Sequence, residues 1–156
     1  MHLLETDRLL LRAASVDELD LIYGILVQEI EGASFTREDF DSELQFDLRL
    51  AHQPLGQQFG RPGIYLKPTN RYIGYCSLMP RLCTTEELQG YAAPVAQSSP
   101  YTSIEAEIGW AVSNQYRNHG YATEAAQALI TYGFGALHLP RIWPLLSAGI
   151  QHQCGL

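Results

Sequence analysis

The apolar positions along the chain change period several times, and each change marks an element. "DRLLLRAA", Asp7–Ala14, is a run of leucines between charged ends and predicts a strand. Ser15 followed by Glu18 has the spacing of a capping box, so a helix is expected from about Val16, with Leu19, Ile22, Tyr23 and Leu26 on one face. A second helix is expected from Thr36 to about Leu50, its start flanked by Phe35 and Phe40 at the spacing of a hydrophobic staple. After the turn-rich "HQPLGQQFGRPG" come "GIYLKP" (Gly63–Pro68) and "RYIGYCSLMP" (Arg71–Pro80), close enough to form an antiparallel hairpin. The polar segment from Arg81 to Thr102 reads as a long loop, and "SIEAEIGWAV" (Ser103–Val112) as another strand.

The longest helical period follows "RNHG". Ala122, Ala125, Ala126, Leu129, Ile130, Gly133, Phe134 and Leu137 fall on one face, and small residues at its start let the helix sit close to a sheet. "RIWPLL" (Arg141–Leu146) is a candidate last strand, which Pro144 confines to an edge or an early end. The order β-α-α-β-β-β-α-β describes an α/β domain, a mixed sheet with helices packed on it.

Composition narrows what such a domain can do. The chain has 156 residues with 46% hydrophobic and 17% charged, enough for one globular domain with a real core. A formal charge of −7 lacks the basic footprint of a nucleic-acid binder. No apolar run reaches membrane-spanning length, and the N-terminus has no signal-like apolar core, so a cytoplasmic protein without a membrane partner is expected. Three cysteines without C-x-x-C spacing suit reduced, buried thiols, and five scattered histidines give no pattern for a metal site.

The start of the long helix is the candidate binding site. First-turn amides have no internal partners and carry the positive end of the helix dipole. Gly120 removes a side chain where a ligand would approach, and Arg117 adds a charge, which together suit a pyrophosphate. An ordinary turn that needs a glycine is the other reading, and physics alone leaves the two open.

The motif R-x-x-G-Y-A, formed by Arg117, Gly120, Tyr121 and Ala122, resembles the [QR]-x-x-G-x-[GA] signature of the GNAT superfamily of N-acetyltransferases. "EIGWAVSNQYRNHGYATEAAQAL", "ETDRLLLR" and "RYIGYCSL" are similar to blocks of its RimJ/RimL-like branch, in the same order, over most of residues 3–142. The resemblance implies a mostly antiparallel central sheet flanked by helices, with acetyl-coenzyme A (acetyl-CoA) as donor. Its pyrophosphate would rest on Arg117, Asn118, His119, Gly120, Tyr121 and Ala122, and its pantetheine arm would lie along Trp110, Ala111 and Val112. His119 reads otherwise as an exposed spacer, and Trp110 as a core residue.

Transfer of acetyl to an amine needs a base to take the amine's proton and donors for the oxyanion. Glu105 and Glu107 share one face of their strand. Relatives carry a strand glutamate where Glu107 stands, which implies Glu107 as the general base; the other reading is a solvated face. Glu105 is expected at the surface or attracting substrate, and mutual repulsion would push one of the two up in pKa. The loop from Arg81 to Thr102, with Tyr91 and Tyr101, is the candidate acceptor loop. No G-x-S-x-G element or neighbouring Cys and His supports an acyl-enzyme.

The implied acceptor is a primary amine, on a protein N-terminus or a small molecule. A non-catalytic acyl-CoA-binding remnant is the alternative.

The final stretch departs from the resemblance. Relatives continue with a helix bearing N-x-A-S-x-R-[VL] and two more strands, and "WPLLSAGIQHQCGL" has neither. Restoring one base before its first codon permits V-A-T-T-Q-R-G-N-T-A-S-V-R-V. The expectation is therefore an incomplete acetyltransferase domain over 1–142 and an out-of-frame tail over 143–156, with a divergent natural terminus as the other reading. It would leave an exposed sheet edge, weak or absent catalysis, and association into a homo-oligomer.

Overall fold

The computed structural model describes residues 3–30, 35–53, 58–84 and 101–145. Among them, six strands form one sheet in chain order: β1 (Leu4–Glu5), β2 (Leu9–Arg12), β3 (Gly63–Leu66), β4 (Arg71–Thr84), β5 (Tyr101–Val112) and β6 (Ile142–Pro144). The first five pair antiparallel in succession, and β6 joins β5 in parallel. Among the described residues three α-helices lie between them: α1 (Leu19–Ile25), α2 (Arg37–Ala51) and α3 (Tyr121–Gly135).

The predicted cap at Ser15 forms, and a second capping box forms at Thr36. Ser15 opens a 3₁₀ turn, Val16–Glu18, that leads into α1, and the Glu18 carboxylate accepts from the Ser15 amide and hydroxyl at 2.8 Å each. Thr36 caps α2 by accepting from the Asp39 amide, while the Asp39 carboxylate takes the Thr36 amide. Phe35 and Phe40 both pack in the core beneath α2, as a staple requires. Beyond α1 the chain widens into a π-helical turn, Leu26–Ile30, which the apolar spacing did not announce.

The sheet buries side chains on both faces. On one, Leu9, Leu11, Ile64, Ile73, Leu78, Ala106, Ile108 and Val112 meet Ala125, Ala126 and Leu129 of α3. On the other, Tyr65 and Tyr72 meet Ile22, Leu26 and Phe40 from the α1–α2 side. A bulge at Ile73–Gly74 inserts one residue into β4, because Ile64 pairs with Gly74 but Tyr65 with Tyr72. The extra residue keeps Tyr72 and Tyr75 on the same face, with Ile73 and Cys76 on the opposite one.

Two expected boundaries move. The loop predicted from Arg81 to Thr102 begins later, since β4 continues to Thr84 and β5 starts at Tyr101. Cross-strand pairing along eleven positions of this hairpin outweighs the polar composition that suggested a loop. Tyr91 and the rest of 85–100 lie outside the described residues, as does 146–156. Trp143 and Pro144, the first residues of the expected tail, lie in β6 opposite Glu107 and Ile108.

Candidate active site

The site is built where β5 ends and α3 begins. β6 pairs with β5 only from Ala106 to Ile108, so the outer edge of Gly109–Val112 has no strand beside it among the described residues. Trp110 is 47% exposed at this edge, which corrects its reading as a core residue. Its partner across the hairpin is Cys76, which is fully buried. Ala111 is half-buried and Val112 buried.

From Val112 the chain turns through Asn114–Tyr116 and enters α3 at Gly120. Gly120 has φ +78°, a left-handed conformation that disfavours a side chain, and only the Arg8 guanidinium would come near a Cβ there. Asn118 is also left-handed, at φ +62°. The first amide bonded back from the helix is that of Glu124, to the Gly120 carbonyl, which leaves the amides of Tyr121, Ala122 and Thr123 pointing out of the helix end. Arg117 is exposed, and its Nε donates to the Val112 carbonyl at 3.2 Å, tying the turn to the end of β5. His119 is exposed, stacked on Tyr121 at 5.8 Å, with Nδ1 2.7 Å from the Arg117 carbonyl. Arg117, Asn118, His119, Gly120, Tyr121 and Ala122 thus form one continuous surface, with Trp110–Val112 leading up to it.

Three residues that the sequence reading missed hold this turn in place. Arg8 on β2 donates to the His119 carbonyl at 3.0 Å, lies over the Tyr121 ring at 4.6 Å and pairs with Glu124 at 2.6 Å. The Glu124 carboxylate also accepts from the Thr6 hydroxyl and the Arg8 amide. Burial works against its charge, but these hydrogen bonds prevail and hold its pKa below the usual carboxylate range. More than a hundred residues separate these partners along the chain, so no local pattern could have joined them.

The two strand glutamates differ from expectation. Glu105 is only 2% exposed and takes Arg141 Nη2 at 2.6 Å, so it is neither at the surface nor set to attract a substrate. Glu107 is part-buried, 3.4 Å from Arg81 Nε. Each carboxylate thus has a guanidinium within ion-pair distance. Glu107 stands on the face of β5 that carries Ala111, two pairs along the strand.

Among the described residues no group of three or more His, Cys, Asp or Glu is arranged to hold a metal. No described helix is long and apolar enough to cross a membrane. Burial pushes the Cys76 thiol up to about 12, so it stays protonated and unreactive.

A family model described as an acetyltransferase (GNAT) domain matches residues 8–148. An uncharacterised N-acetyltransferase, YnaD, of Bacillus subtilis (strain 168) is 56% identical over 36 residues, a match spanning 23% of this chain and 21% of that protein. The acetyltransferase from Agrobacterium tumefaciens str. C58 shares the fold at a TM-score of 0.65 and 23% identity, over 91% of this chain and 72% of its own. A GNAT-family acetyltransferase from Bacillus anthracis does so at 0.62 and 22%, over 96% and 76%. At these identities the two solved structures speak for the fold.

Proposed function

The chain belongs to the GNAT acetyltransferase family, and on that premise we propose that it moves an acetyl group from acetyl-CoA to a primary amine. The observation that carries the reading is the left-handed Gly120 at the open end of α3, with Arg117 beside it and outward amides following. Such an end binds phosphate oxygens without deforming, because its donors are already oriented. The edge of Gly109–Val112, with no strand beside it among the described residues, offers main-chain groups to an extended arm, as a further strand would use them. Acetyl-CoA supplies an activated thioester, and the protein's part is to place it and to manage the proton.

In this reading a backbone amide near Trp110 receives the oxyanion, and Glu107 takes the amine's proton directly or through a water. Arg81, whose Nε lies 3.4 Å from the Glu107 carboxylate, keeps that carboxylate oriented while it is idle. The RimJ/RimL-like assignment rests on the sequence blocks at Glu5–Arg12, Arg71–Leu78 and Glu107–Leu129. We place the protein in the cytoplasm, which three cysteines without C-x-x-C spacing suit. We also retain the division at Ile142, with 143–156 read as out-of-frame; codons at the 3′ end of the gene that cannot encode N-x-A-S in the neighbouring frame would rule it out.

The test is thiol release from acetyl-CoA over a panel of primary amines, with Glu107→Gln beside the native chain. Acetylated product is expected, with kcat falling about a hundredfold in the variant and KM for acetyl-CoA unchanged. Full activity in Glu107→Gln would move the base elsewhere. Acetyl-CoA binding without transfer to any amine would favour the acyl-CoA-binding remnant.

A further inference from the structure

Ser77, on β4, is 6% exposed, and among the described residues nothing hydrogen-bonds its hydroxyl. A buried hydroxyl without a partner is costly, so the missing partner calls for an explanation. Its place in the sheet supplies one. Ser77 is paired with Gly109 of β5, and its Oγ lies 2.9 Å from where a Gly109 Cβ would stand. The glycine therefore lets the hydroxyl lean across β5, towards the edge assigned to the acetyl-CoA arm. The Leu145 side chain closes over the same point, 3.1 Å from it, and offers only apolar atoms.

Two further groups converge there. The Leu145 amide donates to the Ile108 carbonyl at 2.7 Å, so the main-chain groups of Ile108 face β6. Alternation turns those of Gly109 towards β4 and the Trp110 amide towards the edge beyond, where an oxyanion would need it. Met79 pairs with Glu107, so Ser77, Gly109 and Glu107 share one face of the hairpin. Ser77 and Glu107 are diagonal neighbours, about 7 Å apart, a gap that one nitrogen bonded to both side-chain oxygens spans. An amine attacking from this face would meet the base on one side and the idle hydroxyl on the other.

We propose that Ser77 is a further catalytic residue, whose hydroxyl oxygen accepts the N–H that the attacking amine keeps in the product. The proposal rests on the acetyl-transfer reading above and gives it a reason to take primary amines. A neutral primary amine has two N–H groups: one proton passes to Glu107, and the other stays on nitrogen, held by Ser77. The nitrogen bonds to the acetyl carbon, and the C–S bond breaks with its electron pair on sulfur. The proton given to Glu107 balances the one that the coenzyme A thiolate takes up. A secondary amine has a single N–H, so it cannot satisfy both oxygens.

The experiment titrates the full chain and Ser77→Ala with acetyl-CoA and with two stable conjugates. One is coenzyme A alkylated on sulfur with N-methylacetamide; the other carries butanone instead, so that a methylene replaces the N–H. Ser77→Ala should bind the amide conjugate at least about fivefold more weakly, and the ketone conjugate and acetyl-CoA as the native chain does. Its thermal midpoint should not fall, because the hydroxyl it removes is one without a partner. Equal affinity of both proteins for the amide conjugate, parallel weakening of all three ligands, or a lowered midpoint would overturn the proposal. A native chain that binds none of the three would remove the acetyl-transfer reading, and the proposal with it.

Discussion

Arg12, Glu18 and Tyr65 show how single residues fix the frame on which the site stands. Arg12 pairs with Glu18 at 2.7 Å and lies 3.6 Å from the centre of the Tyr65 ring, so β2, the entry to α1 and β3 share one joint. The Arg12 hydrogen bond is the largest cause of a Glu18 pKa lowered to about 2, with Ser15 adding to it against burial. A carboxylate depressed in the folded state stabilises the fold above its unfolded pKa, about 4.3, and that contribution disappears as pH falls through about 2. Glu18→Gln should therefore cost about 1 kcal/mol at pH 6, a value discounted for partial exposure, and almost nothing near pH 2. Urea unfolding of both proteins at pH 6, 4 and 2.5 checks this, and a cost independent of pH would contradict it. The Ser15–Glu18 cap was legible because it is local. Arg12 was not, since its charge at the end of a leucine run says nothing about where the strand lies in the sheet.

At the scale of elements, the bulge in β4 sets the faces of its aromatic residues and the close approach to β5. Gly74 sits opposite Val112 with φ +154°, and a Cβ there would come within 2.2 Å of the Ala111 carbonyl. No flexible side chain is available to yield, so the backbone of β5 must move. Gly74→Ala should lower stability by about 3 kcal/mol and weaken acetyl-CoA binding, both readable from chemical unfolding and titration of one preparation. A neutral substitution would mean that β5 is not held against Gly74. The strand block "RYIGYCSL" was recognisable in the sequence, but not its bulge, because strict alternation would have put Tyr72 and Tyr75 on opposite faces. For the same reason the packing of Tyr72 and Tyr75 on the α1–α2 side could not be read from the chain. The start of α3 could be read, since arginine, glycine and small residues within a few positions carry the whole signal.

Across the whole molecule, the antiparallel succession β1 to β5 and the parallel return of β6 give the sheet an edge that β6 covers only in part. The order of elements and the α/β class were evident from periodicity. The sheet order was settled by contacts between distant segments, such as Thr6 and Arg8 with Glu124, and Glu105 with Arg141. Those contacts also corrected Glu105, since alternation placed it on the right face but could not supply Arg141.

The central claim is that the turn from Arg117 to Ala122 binds the pyrophosphate of acetyl-CoA. Calorimetric titration of the full chain, with Arg117→Ala and Gly120→Asp alongside, tests it most directly. Saturable one-site binding is expected, weakened about tenfold by loss of the arginine, ~1.4 kcal/mol, and abolished when a side chain and a negative charge are placed at Gly120. Absence of binding by a chain that unfolds cooperatively, or equal affinity in all three proteins, would contradict it.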